Sequence, residues 1–277
     1  METIESRAAV FERDLEHRHD RIGAHDWSYY LGGTGPQAVL LLAGGAGIAI
    51  GWLDLTPALC ADYRVLAVDY PPTATTFDEL ADGIAGLLDV AGIARAHVIG
   101  QSAGGMLAEV LSRRAPDRVS SIVFTGTGLY GPEDETRLRD RISATESTPW
   151  EQTRAAARAA LRATWKDSGA AEFWVQQVDS AYERSGRQGA VHALGWLLDL
   201  VQRLPQWQRD PAWPGPALIL RAADDPLITE LHTRRLRDLH PDSEFRLLPE
   251  GGHSLLVSRP QDYIDIVTDF LARQPAG

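Results

Sequence analysis

The 277-residue sequence contains one cysteine, Cys60, and no asparagine, and each scarcity removes a class of chemistry. A single cysteine cannot form an intramolecular disulfide, and a chain without asparagine has no acceptor for N-linked glycans. No apolar run approaches the roughly 20 residues that a membrane-spanning helix needs. The segment from Met1 to Arg21 is crowded with charge and lacks the apolar core of a signal peptide. We therefore expect a soluble, cytoplasmic protein.

Positive charge is also scarce, since 27 basic residues face 38 acidic ones and Lys166 is the only lysine. A net charge of −11 repels phosphate groups, so the sequence excludes nucleic acid and anionic membranes as expected partners. We expect a small, neutral or hydrophobic molecule as the substrate. No sequence feature supports a carrier-protein partner, and we expect a monomer or a homodimer.

The sequence is rich in short apolar runs, which alternate with helical segments as in a mostly parallel sheet covered by helices on both faces. With 44% hydrophobic residues, the chain can bury the core of one large α/β domain. We predict a doubly wound sheet of about eight strands. Strands are predicted at Ala38–Ala43, Tyr63–Tyr70, Ala96–Gln101, Val119–Thr125, Ala217–Ala222 and Glu244–Pro249, with an antiparallel edge at Glu16–Arg21 and His25–Leu31. Amphipathic helices are predicted at Thr76–Val90, Ala103–Arg114 and Pro260–Ala272.

The strand pattern disappears between Gly128 and Pro211, where arginines and tryptophans lie on helical segments. We predict a core domain of residues 1–128 and 212–277 and a helical cap of residues 129–211. Tryptophans on amphipathic helices more often hold the helix to the core than contact a ligand, so none is predicted as a substrate contact. Arg154, Arg158 and Arg162 recur at four-residue spacing, which favours a solvated face over an anion site.

The strongest motif is Gly-Gln-Ser-Ala-Gly-Gly at Gly100 to Gly105, between a predicted strand and a predicted helix. A serine on a sharp strand-to-helix turn projects from the carboxyl edge of the sheet, and small neighbours allow the strained turn. The alternative is a glycine-rich turn with an incidental serine. The flanking strand and helix favour Ser102 as a nucleophile.

A serine nucleophile needs a base, and His253 is the best candidate among eight histidines. It follows the last predicted strand in a glycine-rich loop, from which its side chain can reach the sheet edge. His17 and His19 have the spacing of a metal pair but lack further ligands, so we predict no metal site. The carboxylate that orients the base is predicted to be Asp225, which follows the strand Ala217–Ala222, with its neighbour Asp224 as the competing choice.

The glycine-rich loop after the first strong strand, Ala43 to Gly47, can supply backbone donors to an oxyanion. We expect the N–H groups of Gly45 and Ala103 to form this oxyanion hole. A dinucleotide-binding turn would need a third glycine at position 50, which is Ile50. The sequence therefore predicts no nicotinamide cofactor, and no other cofactor is expected.

Together these motifs resemble the α/β-hydrolase superfamily over nearly the whole chain. That family places its nucleophile in a Gly-x-Ser-x-Gly elbow, its acid after a later strand and its histidine after the last strand, which corresponds here to Ser102, Asp225 and His253. Many members also carry a cap where the tryptophan-rich segment lies. Ala43 departs from the histidine that many members have there, so the oxyanion loop can differ in shape.

Family membership leaves the reaction open. Members that open epoxides or displace halides typically have aspartate at the elbow, so Ser102 argues against those chemistries. The leading hypothesis is hydrolysis of an ester, thioester or lactone in a small, fairly hydrophobic molecule, through an acyl-enzyme on Ser102. The alternatives are a non-hydrolytic lyase that uses the same three residues in biosynthesis, and a binding protein without catalysis.

Overall fold

A computed structural model describes residues 3–165 and 169–275. Eight strands form one sheet in the order β1-β2-β4-β3-β5-β6-β7-β8. β2 pairs antiparallel with β1 and β4, and every other neighbouring pair is parallel, which confirms the predicted fold class. The strands are β1 (Leu15–Ile22), β2 (His25–Gly32), β3 (Gln37–Leu42), β4 (Tyr63–Asp69), β5 (Ala96–Gln101), β6 (Val119–Thr125), β7 (Ala217–Ala222) and β8 (Glu244–Leu248).

The helices flank this sheet and include the three predicted from periodicity. They are α1 (Ile4–Asp14), α2 (Thr56–Leu59), α3 (Phe77–Val90), α4 (Ala103–Arg114), α5 (Pro132–Ser147), α6 (Trp150–Trp165), α7 (Ala171–Trp207), α8 (Glu230–Leu239), α9 (Leu255–Ser258) and α10 (Pro260–Ala272). Short 3-10 segments occur at Ala49–Trp52 and Pro116–Arg118. Thr76 caps α3, because its hydroxyl accepts the N–H of Glu79 at 3.1 Å. No helix in the described residues is long and apolar enough to cross a membrane.

Both faces of the sheet are buried, and the side chains of β3 divide between them. Leu40 and Leu42 belong to the core that includes α3 and α4, whereas Val39 and Leu41 belong to the core that includes α1 and α10. Each fully buried aliphatic side chain stabilises the fold by about 1.5–3 kcal/mol. The central strands therefore consist of continuous apolar runs, which is why the sequence identified them.

The segment between β6 and β7 is helical, as predicted, and consists of α5, α6 and α7. The 37-residue α7 breaks at Gly186, whose φ of 63° is outside the helical region, and it packs against α5 and α6. The prediction of a solvated arginine face was wrong for Arg154 and Arg158. Both guanidinium groups contact Asp179 of α7 at 2.9 Å, so they hold two cap helices together. The domain boundaries at 128 and 212 stay a prediction.

The second half of α7 fastens the cap to the core through Trp196. Its indole N–H donates to the carbonyl of Ala74 at 3.1 Å, and its ring packs against Tyr70 and Phe77. This position supports the interpretation of cap tryptophans as anchors. It also places one edge of the cap above the carboxyl ends of the central strands.

Candidate active site

The turn between β5 and α4 holds Ser102 in a conformation that few non-glycine residues adopt. Its φ is 53° and its ψ is −120°, and it is the only non-glycine residue with positive φ in residues 3–165 and 169–275. Hydrogen bonds fix both of its peptide groups: its N–H donates to Thr125 at 2.9 Å, and its carbonyl accepts the hydroxyl of Thr127 at 2.7 Å. The turn is therefore held by the end of β6 and by the loop that follows it.

Two glycines make this turn sterically accessible. A Cβ at Gly100 would lie 2.4 Å from the carbonyl oxygen of Gly104, and one at Gly104 would lie 2.0 Å from the carbonyl oxygen of Leu42. Neither position has room for a side chain, because the atoms in the way belong to the backbone. The Gly-x-Ser-x-Gly spacing is thus a packing requirement of the elbow.

The structure brings Ser102, His253 and Asp225 into one hydrogen-bonded chain. Nε2 of His253 lies 2.9 Å from Oγ of Ser102, and Nδ1 lies 3.0 Å from Oδ2 of Asp225. The side chain of Asp225 is fully buried, whereas the side chain of His253 is 15% exposed. The base therefore lies between a buried carboxylate and a nucleophile at the sheet edge.

The surroundings of Asp225 keep its carboxylate ionised. Burial opposes ionisation, but the hydrogen bond and attraction from His253 and the backbone N–H groups of Ile228 and Leu227 outweigh it, so the pKa of Asp225 is lowered. An ionised carboxylate can only accept, so Nδ1 of His253 carries the proton. Nε2 is then free to accept the hydroxyl proton of Ser102, which is the arrangement that activates a serine.

The neighbouring Asp224 has a different position. Its Oδ1 accepts the N–H of Gly252 at 2.8 Å and so ties the loop before His253 to the end of β7. Of the two adjacent aspartates, the geometry thus joins Asp225 to the histidine, and Asp224 supports the loop that carries it. Positive φ values at Gly251 and Gly252 let this loop turn back toward the sheet.

The loop from Ala43 to Gly47 lies beside the serine, as expected for a donor loop. A Cβ built on Gly44 would lie 3.5 Å from Cβ of Ser102. Gly45 and Ala103 line the cavity that contains Ser102, and neither N–H donates to an acceptor in the part of the chain that is described. Both groups are consequently available to a ligand.

The sequence analysis missed Tyr70, which holds this loop from beneath. Its phenol donates to the carbonyl of Ala43 at 2.8 Å, and its N–H donates to the carbonyl of Gly47 at 2.9 Å. Complete burial raises the pKa of the Tyr70 phenol, so it stays protonated and a donor. Tyr70 therefore hydrogen-bonds to both ends of the loop, Ala43 and Gly47. The sequence offered only one indication of that role, the position of Tyr70 at the end of the predicted strand Tyr63–Tyr70.

A cavity of about 620 Å³ opens above Ser102, between the sheet edge and the cap. Its walls are mainly aliphatic and aromatic, and the cap contributes much of that surface. The aromatic residues that line it are Trp52, Tyr70, Tyr130, Trp150, Trp165, Trp174, Tyr182 and Trp196. Several tryptophans thus form part of the cavity wall, and Trp196 is both a wall residue and an anchor of the cap.

One cluster outside the cavity has the residue types of a metal site. Glu133, Asp134 and His232 place one ligand atom each within 4.8 Å of one another. His232 already accepts the N–H of Thr229 through Nδ1 and contacts Asp134 through Nε2 at 3.0 Å. Arg137 pairs with Asp134, and Arg235 pairs with Glu133. These contacts describe a satisfied polar link between α5 and α8 and fit a metal ion poorly.

Comparison with known proteins identifies the family of the chain. The sequence model of the α/β hydrolase fold family matches residues 37–260. The sn-1-specific diacylglycerol lipase ABHD11 of Mus musculus is 28% identical over 223 residues, which cover 76% of this chain and 72% of the lipase.

Solved structures show the same fold. A hydrolase from Pseudomonas aeruginosa matches with a TM-score of 0.77 and 23% identity, over 94% of this chain and 99% of its own. The enol-lactonase from Burkholderia xenovorans matches with a TM-score of 0.76 and 19% identity, over 92% and 100% respectively. At these identities the likeness concerns the fold alone, but the family match spans most of the sequence. The chain therefore belongs to the α/β-hydrolase fold family and is an enzyme of hydrolase type.

Proposed function

We propose that this enzyme hydrolyses an ester, thioester or lactone bond in a small, fairly hydrophobic molecule, through an acyl-enzyme on Ser102. The observation that carries the proposal is the continuous hydrogen-bonded chain from Ser102 through His253 to the ionised Asp225. Its nucleophilic end lines a largely apolar cavity that can hold such a molecule.

In the acylation step, Nε2 of His253 takes the hydroxyl proton while Oγ of Ser102 attacks the acyl carbon. The carbonyl oxygen gains negative charge, and the N–H groups of Gly45 and Ala103 donate to it. Asp225 stabilises the imidazolium that forms. His253 then returns the proton to the departing alcohol or thiol, and the acyl group stays on Ser102.

In the deacylation step, the same groups act on water. His253 removes a proton from a water molecule as its oxygen attacks the acyl carbon, and the oxyanion hole holds the second tetrahedral intermediate. The proton then passes to Oγ of Ser102, the carboxylic acid leaves, and the enzyme returns to its starting state. No cofactor is needed to balance either step.

Similar proteins give independent support. One is named as a diacylglycerol lipase and another as an enol-lactonase. Ester and lactone hydrolysis both fall within the proposed reaction class. Hydrolysis of epoxides is a poorer fit, because the elbow carries a serine hydroxyl where a carboxylate nucleophile would be required.

The proposal is tested by intact-mass analysis after treatment with a fluorophosphonate. The wild type should gain one phosphonyl adduct and lose turnover of aryl esters in parallel. Ser102→Ala should gain none. Ser254→Ala is the matched control, because Ser254 lines the same cavity beside the proposed base, and it should be labelled like the wild type.

The outcomes separate the competing hypotheses. Labelling at Ser102 together with ester or thioester turnover supports the proposed hydrolase. Labelling at Ser102 without turnover of any aryl ester or acyl thioester would favour a lyase that uses the same three residues. Absence of labelling, or equal labelling of Ser102→Ala, would contradict the nucleophilic role.

A further inference from the structure

The active-site cavity differs in charge from the rest of the protein. The chain carries 38 acidic residues against 27 basic ones, yet no aspartate or glutamate of the described residues lines the cavity. Among the described residues, the cavity wall contains one arginine, Arg141 of α5. Apart from His253, Arg141 is the only basic residue described there. A negative charge brought into this cavity would therefore meet no carboxylate and one guanidinium.

Arg141 differs from the other arginines of its helix. Arg137 pairs with Asp134 at 2.7 Å, and Arg139 pairs with Glu135 at 2.7 Å. No hydrogen bond or ion pair in residues 3–165 and 169–275 uses the guanidinium of Arg141. All five of its N–H donors are thus open to a ligand, and they form a planar fork that matches a carboxylate.

The side chain of Arg141 is exposed, so water can solvate its charge while the cavity is empty. Its field also extends into the wall, because Tyr182 lines the same cavity. Burial raises the pKa of the Tyr182 phenol, and the positive charge of Arg141 opposes that rise. Arg141 and Tyr182 thus share the cavity wall, and the charge of the guanidinium acts on the phenol.

Ser102 and Arg141 line the same cavity, and most of its surface is apolar. Val178, Leu194 and Trp150 contribute to it, and all three belong to the cap helices or lie at their ends. A molecule that fills the cavity with its acyl carbon at Ser102 would contact this apolar surface as well as the guanidinium. Such a molecule has an apolar body with a reactive acyl group at one point and a charged group at another.

From this arrangement we propose that the natural substrate carries a carboxylate distant from the scissile acyl bond, and that Arg141 binds it. The inference rests on the proposed acyl-enzyme function and adds the substrate class. The net charge of −11 repels anions from the protein as a whole, so a carboxylate would bind against this overall field. A preference for anionic substrates would therefore have to arise locally.

The test compares aryl half-esters of dicarboxylic acids, in a series of increasing chain length, with the same esters after methylation of the free carboxylate. A second series places the carboxylate on the alcohol side of the bond, which distinguishes the two ends of the substrate. The readout is the ratio of kcat/KM for the charged ester over its neutral partner. This ratio cancels effects of a substitution on folding or on the triad.

For the best chain length, the wild type should prefer the charged ester by about fivefold or more, which corresponds to a partly exposed ion pair. Arg141→Gln should bring the ratio to about one or below. Arg141→Lys should keep part of the preference, because it retains the charge without the fork. Arg139→Gln is the matched control on the same helix and should keep the wild-type ratio.

Failure of the inference is distinguishable from failure of the proposed function. Turnover of neutral esters with no preference for a carboxylate in either series would overturn the role of Arg141 and leave the hydrolase intact. An unchanged ratio in Arg141→Gln would do the same. Absence of turnover for every ester would contradict the proposed function itself.

Discussion

Asp225→Asn should lower kcat by about 10⁴-fold, the loss that the corresponding substitution causes in a serine protease triad. The reason lies in the hydrogen bonds around the carboxylate. Oδ1 of Asp225 accepts the N–H groups of Leu227 at 2.8 Å and Ile228 at 3.0 Å. In the variant, these two donors would hold the amide oxygen at the Oδ1 position. The amide nitrogen would then occupy the Oδ2 position, which faces His253.

An amide nitrogen can only donate, and Oδ1, which also lies 3.1 Å from Nδ1 of His253, already accepts two backbone N–H groups, so the arrangement favours Nδ1 as an acceptor. The ring would carry its proton on Nε2, directed at Oγ of Ser102, and could no longer remove the hydroxyl proton. The substitution is isosteric and keeps both backbone donors satisfied. We therefore expect a loss of turnover with a change in melting temperature of only a few degrees.

Asp224→Asn is the matched control, because the same chemical change is made one residue away. Oδ1 of Asp224 accepts the N–H of Gly252, and an amide oxygen can accept it equally well. The loop that carries His253 should stay in place, and kcat should stay within about tenfold of the wild type, since no reacting group is altered. The assay is steady-state ester hydrolysis. The active-site concentration of the wild type is determined by fluorophosphonate titration, and the variants are compared with it at equal protein concentration.

Two results would refute this reasoning. If Asp225→Asn kept kcat within about tenfold of the wild type, the carboxylate would not set the tautomer of His253. If Asp224→Asn lost as much activity as Asp225→Asn, the effect would belong to the loop and not to the hydrogen bond between the Asp225 carboxylate and the His253 ring.

Two further substitutions and one control test the packing of the fold. Burial lowers the pKa of His97 to about 4, so the unfolded chain binds a proton first as the pH falls below about 6.5. Folding stability should therefore fall by about 2 kcal/mol between about pH 6.5 and pH 5. His97→Gln should remove this acid-dependent loss in urea unfolding measured from neutral pH to about pH 5, and an unchanged pH dependence would contradict the assignment. Gly104→Ala should abolish folding or activity, because its Cβ would lie 2.0 Å from a backbone carbonyl of β3. The control is Gly195→Ala, because a Cβ there would meet nothing within 4 Å. This control should raise stability by up to about 1 kcal/mol in thermal unfolding. Equal tolerance of both glycine substitutions would show that the elbow is less tightly packed than described.

The sequence predicted the sheet well because its central strands are buried on both faces. Such strands must be apolar throughout, and the runs at Val39 to Leu42 and Ile122 to Phe124 are visible without any structure. The ends of strands were less well defined. Ala43, Tyr70 and Pro249 were placed in strands, but they lie just beyond the strands and begin the loops that form the site.

Helix α1 was not predicted, because only Ile4 and Phe11 of its residues are buried. With so few core contacts it has no clear amphipathic pattern, and its cap at Thr3 is a local contact that many turns share. The arginine stripe of the cap shows a second limit. Spacing placed Arg154 and Arg158 on one face, but only the packing of α7 reveals that this face meets Asp179 and not solvent.

The candidate site was predictable where the chemistry requires one residue type and the fold restricts where in the sequence it can lie. Ser102 and His253 follow from the elbow and from the last loop, and the structure joins them through Nε2. The choice between Asp224 and Asp225 depended on backbone geometry that no residue pattern contains. The contact of Tyr70 with Ala43 joins residues that are distant in sequence, so only the folded chain shows it. The same holds for the position of Arg141 in the cavity wall.

The backbone of Ser102 also has a thermodynamic consequence for the whole molecule. A non-glycine residue at a φ of 53° and a ψ of −120° stores on the order of 1–3 kcal/mol of strain. Glycine at position 102 would relieve most of it. Folding stability alone would therefore favour glycine there, and the presence of a serine means that the chain tolerates a less stable fold at the one position where the proposed chemistry requires a hydroxyl.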